Sequence, residues 1–306
     1  MKGKVLVTGG AGFVGSSLVR RLLDSGYDVV VIDNLLRGSK ENLPENDHLE
    51  FVEGDIRSDS DLDSAMEYAP DLVVHLAAHH FIPYCIAHPG DTINVNVFGT
   101  QTVLDAISRN DCVRKIVFAS TAAVYGPSDS PHDESEPMAP IDIYGISKQQ
   151  GEELVDFFHE QSGIAAVNAR LFNVIGPRET NPHLVPDILD QLPITGSLKL
   201  GNLVPKRDYI YADDIADGLI TLLASEIESG SVNIGSGSSY TAGDLVEVIG
   251  DITNSSIEID SVPERQRAGD RPNLCANNDR LKGLGWSCKY DLRQALAKTL
   301  ESYDIG

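Results

Sequence analysis

A tyrosine and a lysine lie four residues apart in the stretch YGISK, as Tyr144 and Lys148. At this spacing in a helix, two side chains share one face and lie one turn apart. A phenol has an ordinary pKa of about 10 and is a poor base at neutral pH, but an adjacent ammonium stabilises the phenolate and lowers that pKa. The pair therefore predicts that Tyr144 acts as a general base on a substrate hydroxyl while a hydride leaves the same carbon.

A further polar group is needed to hold that hydroxyl. The stretch FASTAAVYG supplies Ser120 and Thr121 at the end of a predicted strand. A tyrosine and a lysine at helical spacing are by themselves more common on protein surfaces than in active sites. The strand end with its two hydroxyls, together with a glycine-rich turn near the start of the chain, favours catalysis.

The stretch VLVTGGAGFVGSSL places Gly9, Gly12 and Gly15 between a predicted strand and a predicted helix. The first glycine permits a tight turn, the second lets the backbone approach a pyrophosphate, and the third lets helix and strand pack closely. The phosphates would lie at the helix N-terminus, where free N–H groups and the positive end of the helix dipole attract them. The turn therefore predicts a dinucleotide cofactor.

An acidic residue, Asp33, ends the second predicted strand. A carboxylate at that position accepts hydrogen bonds from the adenine ribose and repels a 2′-phosphate, which favours NAD over NADP. Arg37 nearby leaves NADP open as an alternative. In the stretch EGDIR, Asp55 and Ile56 follow the third predicted strand, where they suit either the edge of the adenine or a plain turn.

Short apolar strands alternate with helical stretches through the first half of the chain, beginning with KVLVTGG, DVVVIDN and LEFVEGD. This alternation indicates βαβ units and a parallel sheet, which binds ligands at the carboxyl ends of its strands. We predict an α/β protein with a Rossmann doubly wound parallel sheet and a smaller, discontinuous C-terminal substrate domain. The NAD-binding domain would comprise residues 1–172 and 209–240, and the substrate domain residues 173–208 and 241–306.

The 306-residue chain carries 46 acidic and 24 basic residues, a formal net charge of −22. Such a surface repels phosphate backbones and anionic lipids, so we expect no nucleic-acid or membrane partner, and any phosphate site must be local. The four cysteines form no CxxC pair, which predicts reduced thiols and neither a zinc site nor a disulfide framework. With no signal peptide and no long apolar run, we expect a cytoplasmic protein without a bound metal.

Seven motifs of the chain together resemble the extended short-chain dehydrogenase/reductase family, the NAD-dependent nucleotide-sugar epimerases and dehydratases. They are TGGAGFVGS, DNLLRGSKENL, HLAA, NVNVFGT, STAAVYG, YGISK and RLFNVIGPR. The resemblance extends to RDYIYADDIADG and RAGDRPNLCANN in the second half, and so covers nearly the whole chain. It implies NAD as cofactor and a nucleotide sugar as substrate.

The resemblance also implies roles for individual residues. It assigns the cofactor to Gly9, Gly12, Phe13, Val14, Gly15, Asp33, Asn34, Asp55, Ile56, Leu76, Ala77, Ala78, Asn96, Ser120, Tyr144 and Lys148. It assigns catalysis to Thr121, Tyr144 and Lys148, and substrate binding to Thr121, Asn173, Arg207, Arg267 and Asp270. Two arginines facing a diphosphate would supply local positive charge on an acidic protein, although surface ion pairing is an alternative for each.

The two residues after Thr121 distinguish members of this family. In the 4,6-dehydratases they are Asp and Glu, whereas this chain has Ala122 and Ala123, whose methyl groups cannot move a proton. The stretch instead resembles the UDP-glucose (UDP-hexose) 4-epimerases, which implies hydride abstraction at the sugar C4, rotation of the 4-keto sugar and return of the hydride. The alternatives are an NAD(H)-dependent nucleotide-sugar reductase or dehydratase, and a non-catalytic dinucleotide-binding sensor.

One segment departs from the epimerase pattern. After HLAA the chain has the bulky run from His79 to Tyr84, where relatives have small or polar residues. The run would form pocket wall beside the nicotinamide and sugar, with His79 or His80 as an additional proton relay in the alternative interpretation. The run leaves the identity of the sugar undetermined, and Arg178 could bind the C6 carboxylate of a uronate. From the family's helix pairing we expect a homodimer.

Overall fold

The computed structural model describes residues 2–192, 197–265 and 271–303. Its strands are β1 (Lys4–Thr8), β2 (Asp28–Asp33), β3 (Leu49–Glu53), β4 (Leu72–His75), β5 (Lys115–Thr121), β6 (Ala165–Leu171), β7 (Asn173–Ile175), β8 (Ser197–Leu200), β9 (Lys206–Tyr211), β10 (Ser229–Ile234), β11 (Ser239–Tyr240), β12 (Glu258–Ser261) and β13 (Asn273–Leu274). Its helices are α1 (Phe13–Asp24), α2 (Asp59–Met66), α3 (Ile82–Ala87), α4 (Pro89–Ile93), α5 (Gly99–Ser108), α6 (Ile143–Ser162), α7 (Leu184–Gln191), α8 (Ala212–Ala224), α9 (Ala242–Thr253), α10 (Asp279–Lys282) and α11 (Leu292–Glu301). A π-helical turn, Asn94–Phe98, joins α4 to α5.

Seven strands pair in parallel in the order β10-β6-β5-β4-β1-β2-β3. Strands β4 and β5 are buried along their whole length, as expected for a parallel sheet that carries helices on both faces. Helices α1 and α8 pack on one face, and α2, α5 and α6 pack on the other. This arrangement confirms the predicted α/β Rossmann fold, whose strand order reverses between β1 and β4.

Helix α6 has clear start and stop signals. Its N-cap, Asp142, accepts a hydrogen bond from the backbone N–H of Gly145 at 2.8 Å, and the helix ends at Gly163 in the left-handed region with φ 73°. These are the residue types that cap helices at these two ends. The N-terminal cap fixes the first turn of α6, which carries Tyr144, beside the end of β5.

A smaller part of the molecule lies beyond the carboxyl ends of the large sheet. Strands β7, β9, β11 and β13 form one small sheet, β8 pairs with β12, and α7, α9 and α11 share a separate apolar core. Strand β10 returns to the large sheet, in keeping with the predicted return of the chain. Strand β9 includes residues 209–211 of the predicted NAD-binding domain, but it joins the small sheet because it pairs with β7. Leu281 and Trp286 belong to the predicted substrate domain, but they pack into the core beneath α8. The domain limits given above remain a prediction.

Among the described residues, no helix is both long enough and apolar enough to cross a membrane.

Candidate functional site

A cleft of about 770 Å³ lies at the carboxyl ends of the parallel strands and extends between the large sheet and the smaller part. Every residue assigned above to the cofactor lines it except Asn96, and so do Thr121, Asn173 and Arg207. Arg267 and Asp270 lie outside the described residues. The cleft occupies the position where an open α/β sheet binds its ligands, next to the reversal of strand order.

The turn between β1 and α1 and the first turn of α1 pack too closely for side chains at Gly9, Gly10 and Gly15. Gly9 has φ 71°, and a Cβ there would lie 2.9 Å from the Cα of Ala77; a Cβ on Gly15 would lie 2.1 Å from the carbonyl oxygen of Gly9. A Cβ on Gly12 would meet only the Gly9 carbonyl, at 3.3 Å, so its other side is open to the cleft. The open backbone at the start of α1 fits a pyrophosphate group.

The acid at the end of β2 is held by the backbone. Asp33 is buried, and its two carboxylate oxygens accept hydrogen bonds from the N–H groups of Ala11 at 3.0 Å and Leu35 at 2.8 Å. Burial raises the pKa of this carboxyl. The remaining lone pairs of the carboxylate are acceptors on the cleft wall, which fits the hydroxyls of an adenine ribose.

Asp55 is engaged more strongly than the sequence suggested. Arg57 binds its two oxygens at 2.9 and 2.7 Å, and Asn34 donates to it at 3.1 Å. The guanidinium beside it holds the pKa of this carboxyl far below its usual range. These three side chains therefore form one polar cluster on the cleft wall, next to Ile56.

Thr121, Tyr144 and Lys148 are brought together at the end of β5. The Thr121 side chain lies next to the Tyr144 phenol and favours its ionised form, and the Thr121 oxygen accepts a hydrogen bond from the N–H of Ala123 at 3.1 Å. The Lys148 ammonium donates to the carbonyl of Ala119 at 2.8 Å and lies 4.6 Å from the ring centroid of Phe118. A phenol, a hydroxyl and an amine thus converge on the cleft, as a proton-transfer site requires.

The expected lowering of the Tyr144 pKa is not what the structure gives. Burial raises the pKa of the phenol above its ordinary value, and burial lowers the pKa of Lys148 to about 7. The reason is desolvation, which disfavours the charged form of each group. The Lys148 amine is directed at the Ala119 carbonyl and loses much of its charge near neutral pH, so it does little to stabilise the phenolate here.

Ser120 and Asn96 hold other parts of the protein. The Ser120 hydroxyl donates to Glu152, which forms a buried ion pair with Arg170 at 2.8 Å. Asn96 accepts from the N–H of His79 at 2.7 Å and donates to the His79 carbonyl at 2.8 Å, so it fixes the backbone of the segment that follows β4. Both residues therefore position neighbouring groups of the site.

The bulky segment after β4 directs its two histidines to different partners. The His79 ring lies 2.9 Å from Asp91, which also accepts from the Tyr84 hydroxyl at 2.8 Å. His80 lies 3.1 Å from the side-chain nitrogen of Asn181, across the cleft wall. Each imidazole is thus anchored to a wall partner, which favours the interpretation of this segment as pocket wall over the proton relay.

The sequence did not predict the roles of two arginines near the cleft. Arg178 does not line the cleft, because its guanidinium donates to the hydroxyls of Ser16 at 2.9 Å and Ser17 at 3.1 Å and so ties its loop to α1. Arg271, which sequence reasoning missed, is buried on the cleft wall and donates to the carbonyls of Ala123 and Tyr125. The only signal for Arg271 was its place at the end of RAGDR.

Comparison with known proteins gives consistent results. Residues 5–235 match the NAD dependent epimerase/dehydratase family. Over 303 residues the chain is 32% identical to a putative UDP-glucose 4-epimerase of Methanocaldococcus jannaschii, with 97% of each chain covered. The fold is similar to the solved UDP-glucose 4-epimerase of Thermotoga maritima with UDP-glucose, at 30% identity, 98% coverage of each chain and a TM-score of 0.90. It is also similar to the UDP-glucuronic acid 4-epimerase of Bacillus cereus in complex with UDP-glucuronic acid and NAD, at 26% identity, 98% coverage of this chain, 99% of that chain and a TM-score of 0.91.

Proposed function

This chain belongs to the NAD dependent epimerase/dehydratase family, and from that membership we propose that it is an NAD-dependent 4-epimerase of a UDP-hexose. The observation that carries the proposal is the meeting of Thr121, Tyr144 and Lys148 at the end of β5, followed by Ala122 and Ala123. A dehydratase needs an acid and a base at those two positions, and two methyl groups supply neither. A 4-epimerase needs only one group that takes a proton and gives it back.

We assign the cofactor to the open turn at Gly12 and the carboxylate of Asp33, whose geometry fits a pyrophosphate and a ribose. When bound there, NAD⁺ would supply a hydride acceptor for the sugar C4 and, after rotation of the 4-keto sugar, a hydride donor to the other face of that carbon. The positive charge of the oxidised nicotinamide ring would lower the pKa of the Tyr144 phenol and so oppose the effect of burial. Proton transfer would otherwise have to start from a phenol whose pKa burial has raised.

Within this proposal, Tyr144 takes the proton of the C4 hydroxyl and later returns it. The Thr121 side chain, which lies next to that phenol, holds the same hydroxyl in line. The Lys148 amine lies one turn along α6 and stabilises the phenolate whenever it is protonated. Asn173 and Arg207 line the cleft, and we assign them to the nucleotide diphosphate.

The test is direct. The purified protein is incubated separately with UDP-glucose, UDP-galactose, UDP-N-acetylglucosamine and UDP-glucuronate, with and without added NAD, and NMR reads the configuration at C4. Interconversion of one pair of C4 epimers, without net change in absorbance at 340 nm, is the expected result. Stoichiometric consumption of NADH would identify a reductase instead, and loss of water from the sugar would identify a dehydratase.

We also propose a cytoplasmic homodimer. Large apolar side chains are exposed on the π-helical turn and on α6, with Phe98 54% and Phe157 60% accessible. Such side chains on adjacent helices suit burial against a second copy. All four cysteines are free thiols, which suits a reducing compartment. Light scattering should give twice the 33.1 kDa chain mass, and a monomer at micromolar concentration would contradict the proposal.

A further inference from the structure

Two imidazoles and a carboxylate converge on the wall of the same cleft that holds the Tyr144 group. His80, Glu179 and His183 each offer one ligand atom, and these atoms lie within 4.8 Å of one another. The Nε2 atom of His183 is 3.9 Å from a carboxylate oxygen of Glu179, and the rings of His80 and His183 stack with their centroids 5.6 Å apart. All three residues line the cleft.

The three residues come from two distant segments that the fold brings together. His80 follows β4, whereas Glu179 and His183 belong to the loop between β7 and α7. Asn181 joins the two segments: its side-chain nitrogen lies 3.1 Å from His80, and its backbone N–H donates to Glu179 at 2.8 Å. This buried amide holds the two segments together, and because its NH2 group donates to the Nε2 of His80, a metal ion on His80 would bind Nδ1 or displace the amide from Nε2.

The chemistry of this set narrows the ion it would take. Imidazole and carboxylate ligands suit zinc and related divalent transition metals, whereas magnesium and calcium prefer oxygen ligands alone. Ligand atoms in a tetrahedral zinc site lie about 3.4 Å apart, from metal–ligand distances of about 2.1 Å. Side-chain rotation is the movement needed to reach that spacing, and the His183 side chain is 39% exposed.

We propose that His80, Glu179 and His183 bind one divalent transition-metal ion of the Zn²⁺ class. Three protein ligands leave the fourth coordination position to water or to another ligand from the cleft. The proposal is independent of the epimerase activity, because none of the three residues belongs to the Thr121 and Tyr144 group. Without a metal, the same side chains are a polar part of the cleft wall.

Cobalt is the probe for the test, because its visible absorption reports the ligands. Untagged protein is treated with a chelator, dialysed, and titrated with Co²⁺ and separately with Zn²⁺ in excess Mg²⁺. The Mg²⁺ masks loose binding to the acidic surface. We expect one ion per chain, visible d–d bands, and no near-ultraviolet charge-transfer band of cobalt–thiolate ligation.

His183→Asn and Glu179→Gln should each weaken binding at least about tenfold, since each removes or weakens one of three ligands. The matched control is His48→Asn, which removes a histidine that is 61% exposed beside Asp28, and should leave affinity unchanged. Circular dichroism confirms that each variant is folded. A stoichiometry below one ion per chain, affinity unchanged in both folded site variants, or an equal loss in the control would overturn the proposal. Epimerase activity that persists in chelator would leave the proposed function intact in every case.

Discussion

The turn between β1 and α1 and the loop between β7 and α7 face the same cleft, but they are built differently. The turn is shaped by backbone contacts: a Cβ on Gly9 would lie 2.9 Å from the Cα of Ala77, and a Cβ on Gly15, in the first turn of α1, would lie 2.1 Å from the Gly9 carbonyl oxygen. The loop is shaped by side chains: Glu179, Asn181 and His183 reach partners on each other and on His80. A backbone-built site constrains residue type at each position, whereas a side-chain-built site can change its ligand by changing its side chains.

Removal of a single oxygen from Tyr144, which lies on α6, lines the same cleft and is assigned the proton transfer, should have the greatest consequence for turnover. Tyr144→Phe keeps the ring and its packing but removes the proton carrier, so kcat should fall about 10²- to 10⁴-fold. NAD binding should be retained, because the turn at Gly12 is untouched. Turnover by NMR and NAD content after purification are the measurements.

The matched control for that variant is Tyr27→Phe. Tyr27 is buried near a lysine, with the Lys2 amine 5.8 Å from its ring centroid, but it precedes β2 at the amino ends of the strands and does not line the cleft. Its turnover should equal that of the wild type. If Tyr144→Phe kept full turnover, the assignment of the proton transfer to this phenol would be wrong.

A second variant tests the backbone side. Gly15→Ala would force its Cβ to 2.1 Å from the Gly9 carbonyl oxygen and 2.7 Å from the Gly10 Cα, so the turn must shift. Overpacking of this kind costs about 1 to 3 kcal/mol, and NAD affinity should fall at least tenfold. Urea unfolding and NAD titration measure the two effects.

Gly90→Ala is the comparison for this substitution, because a Cβ at Gly90 meets nothing within 4 Å and its φ is not positive. It should bind NAD as the wild type does and be no less stable. Equal NAD affinity in the Gly15 and Gly90 variants would mean that the close approach at Gly15 does not shape the cofactor site.

How much was readable from sequence follows the same division. The positions of Gly9 and Asp33 and the parallel sheet were predictable, because glycine spacing and apolar strands act over short stretches of chain. The cluster of His80, Glu179 and His183 was not, since it depends on where two distant loops meet. The sign of the Tyr144 pKa shift was missed for a related reason: adjacency to Lys148 is visible in the sequence, but the burial that outweighs it is not.

Burial of Lys148 has a measurable consequence for stability. Its pKa is about 7 in the folded protein against 10.5 for the ordinary side chain, so between these values the unfolded chain binds more protons than the folded one. The free energy of unfolding should therefore rise with pH across this window, by up to about 1.4 kcal/mol per pH unit. Lys148→Met should lack this rise, and urea unfolding at several pH values measures the difference.

Lys282→Met removes an exposed lysine from the end of α10 and serves as the control for that experiment. Its curve of unfolding free energy against pH should stay parallel to that of the wild type. Parallel curves for Lys148→Met as well would show that Lys148 keeps its charge in the folded protein, against the desolvation argument.

The smallest expected effect concerns Arg178, which links the loop between β7 and α7 to helix α1. Arg178 has φ 71°, a left-handed conformation that costs a residue with a Cβ about 1 kcal/mol, and its guanidinium bonds to Ser16 and Ser17 of α1. Arg178→Ala and Arg178→Gly lose the same hydrogen bonds, but only the glycine relieves the backbone. The glycine variant should therefore be the more stable of the two by up to about 0.5 kcal/mol, because the relief of about 1 kcal/mol of strain exceeds the entropy of about 0.5 kcal/mol or more that glycine adds to the unfolded chain.

Thermal unfolding of the two variants, with the Ser16→Ala variant beside them, separates the backbone contribution from the hydrogen bonds. If the alanine variant were the more stable, the left-handed backbone at residue 178 would not be strained, and the loop would owe its position to the guanidinium alone. If the glycine variant is the more stable, backbone strain contributes to the stability of the loop between β7 and α7 as well. The turn between β1 and α1 and the loop between β7 and α7 would then differ only in how many of their positions disfavour a Cβ.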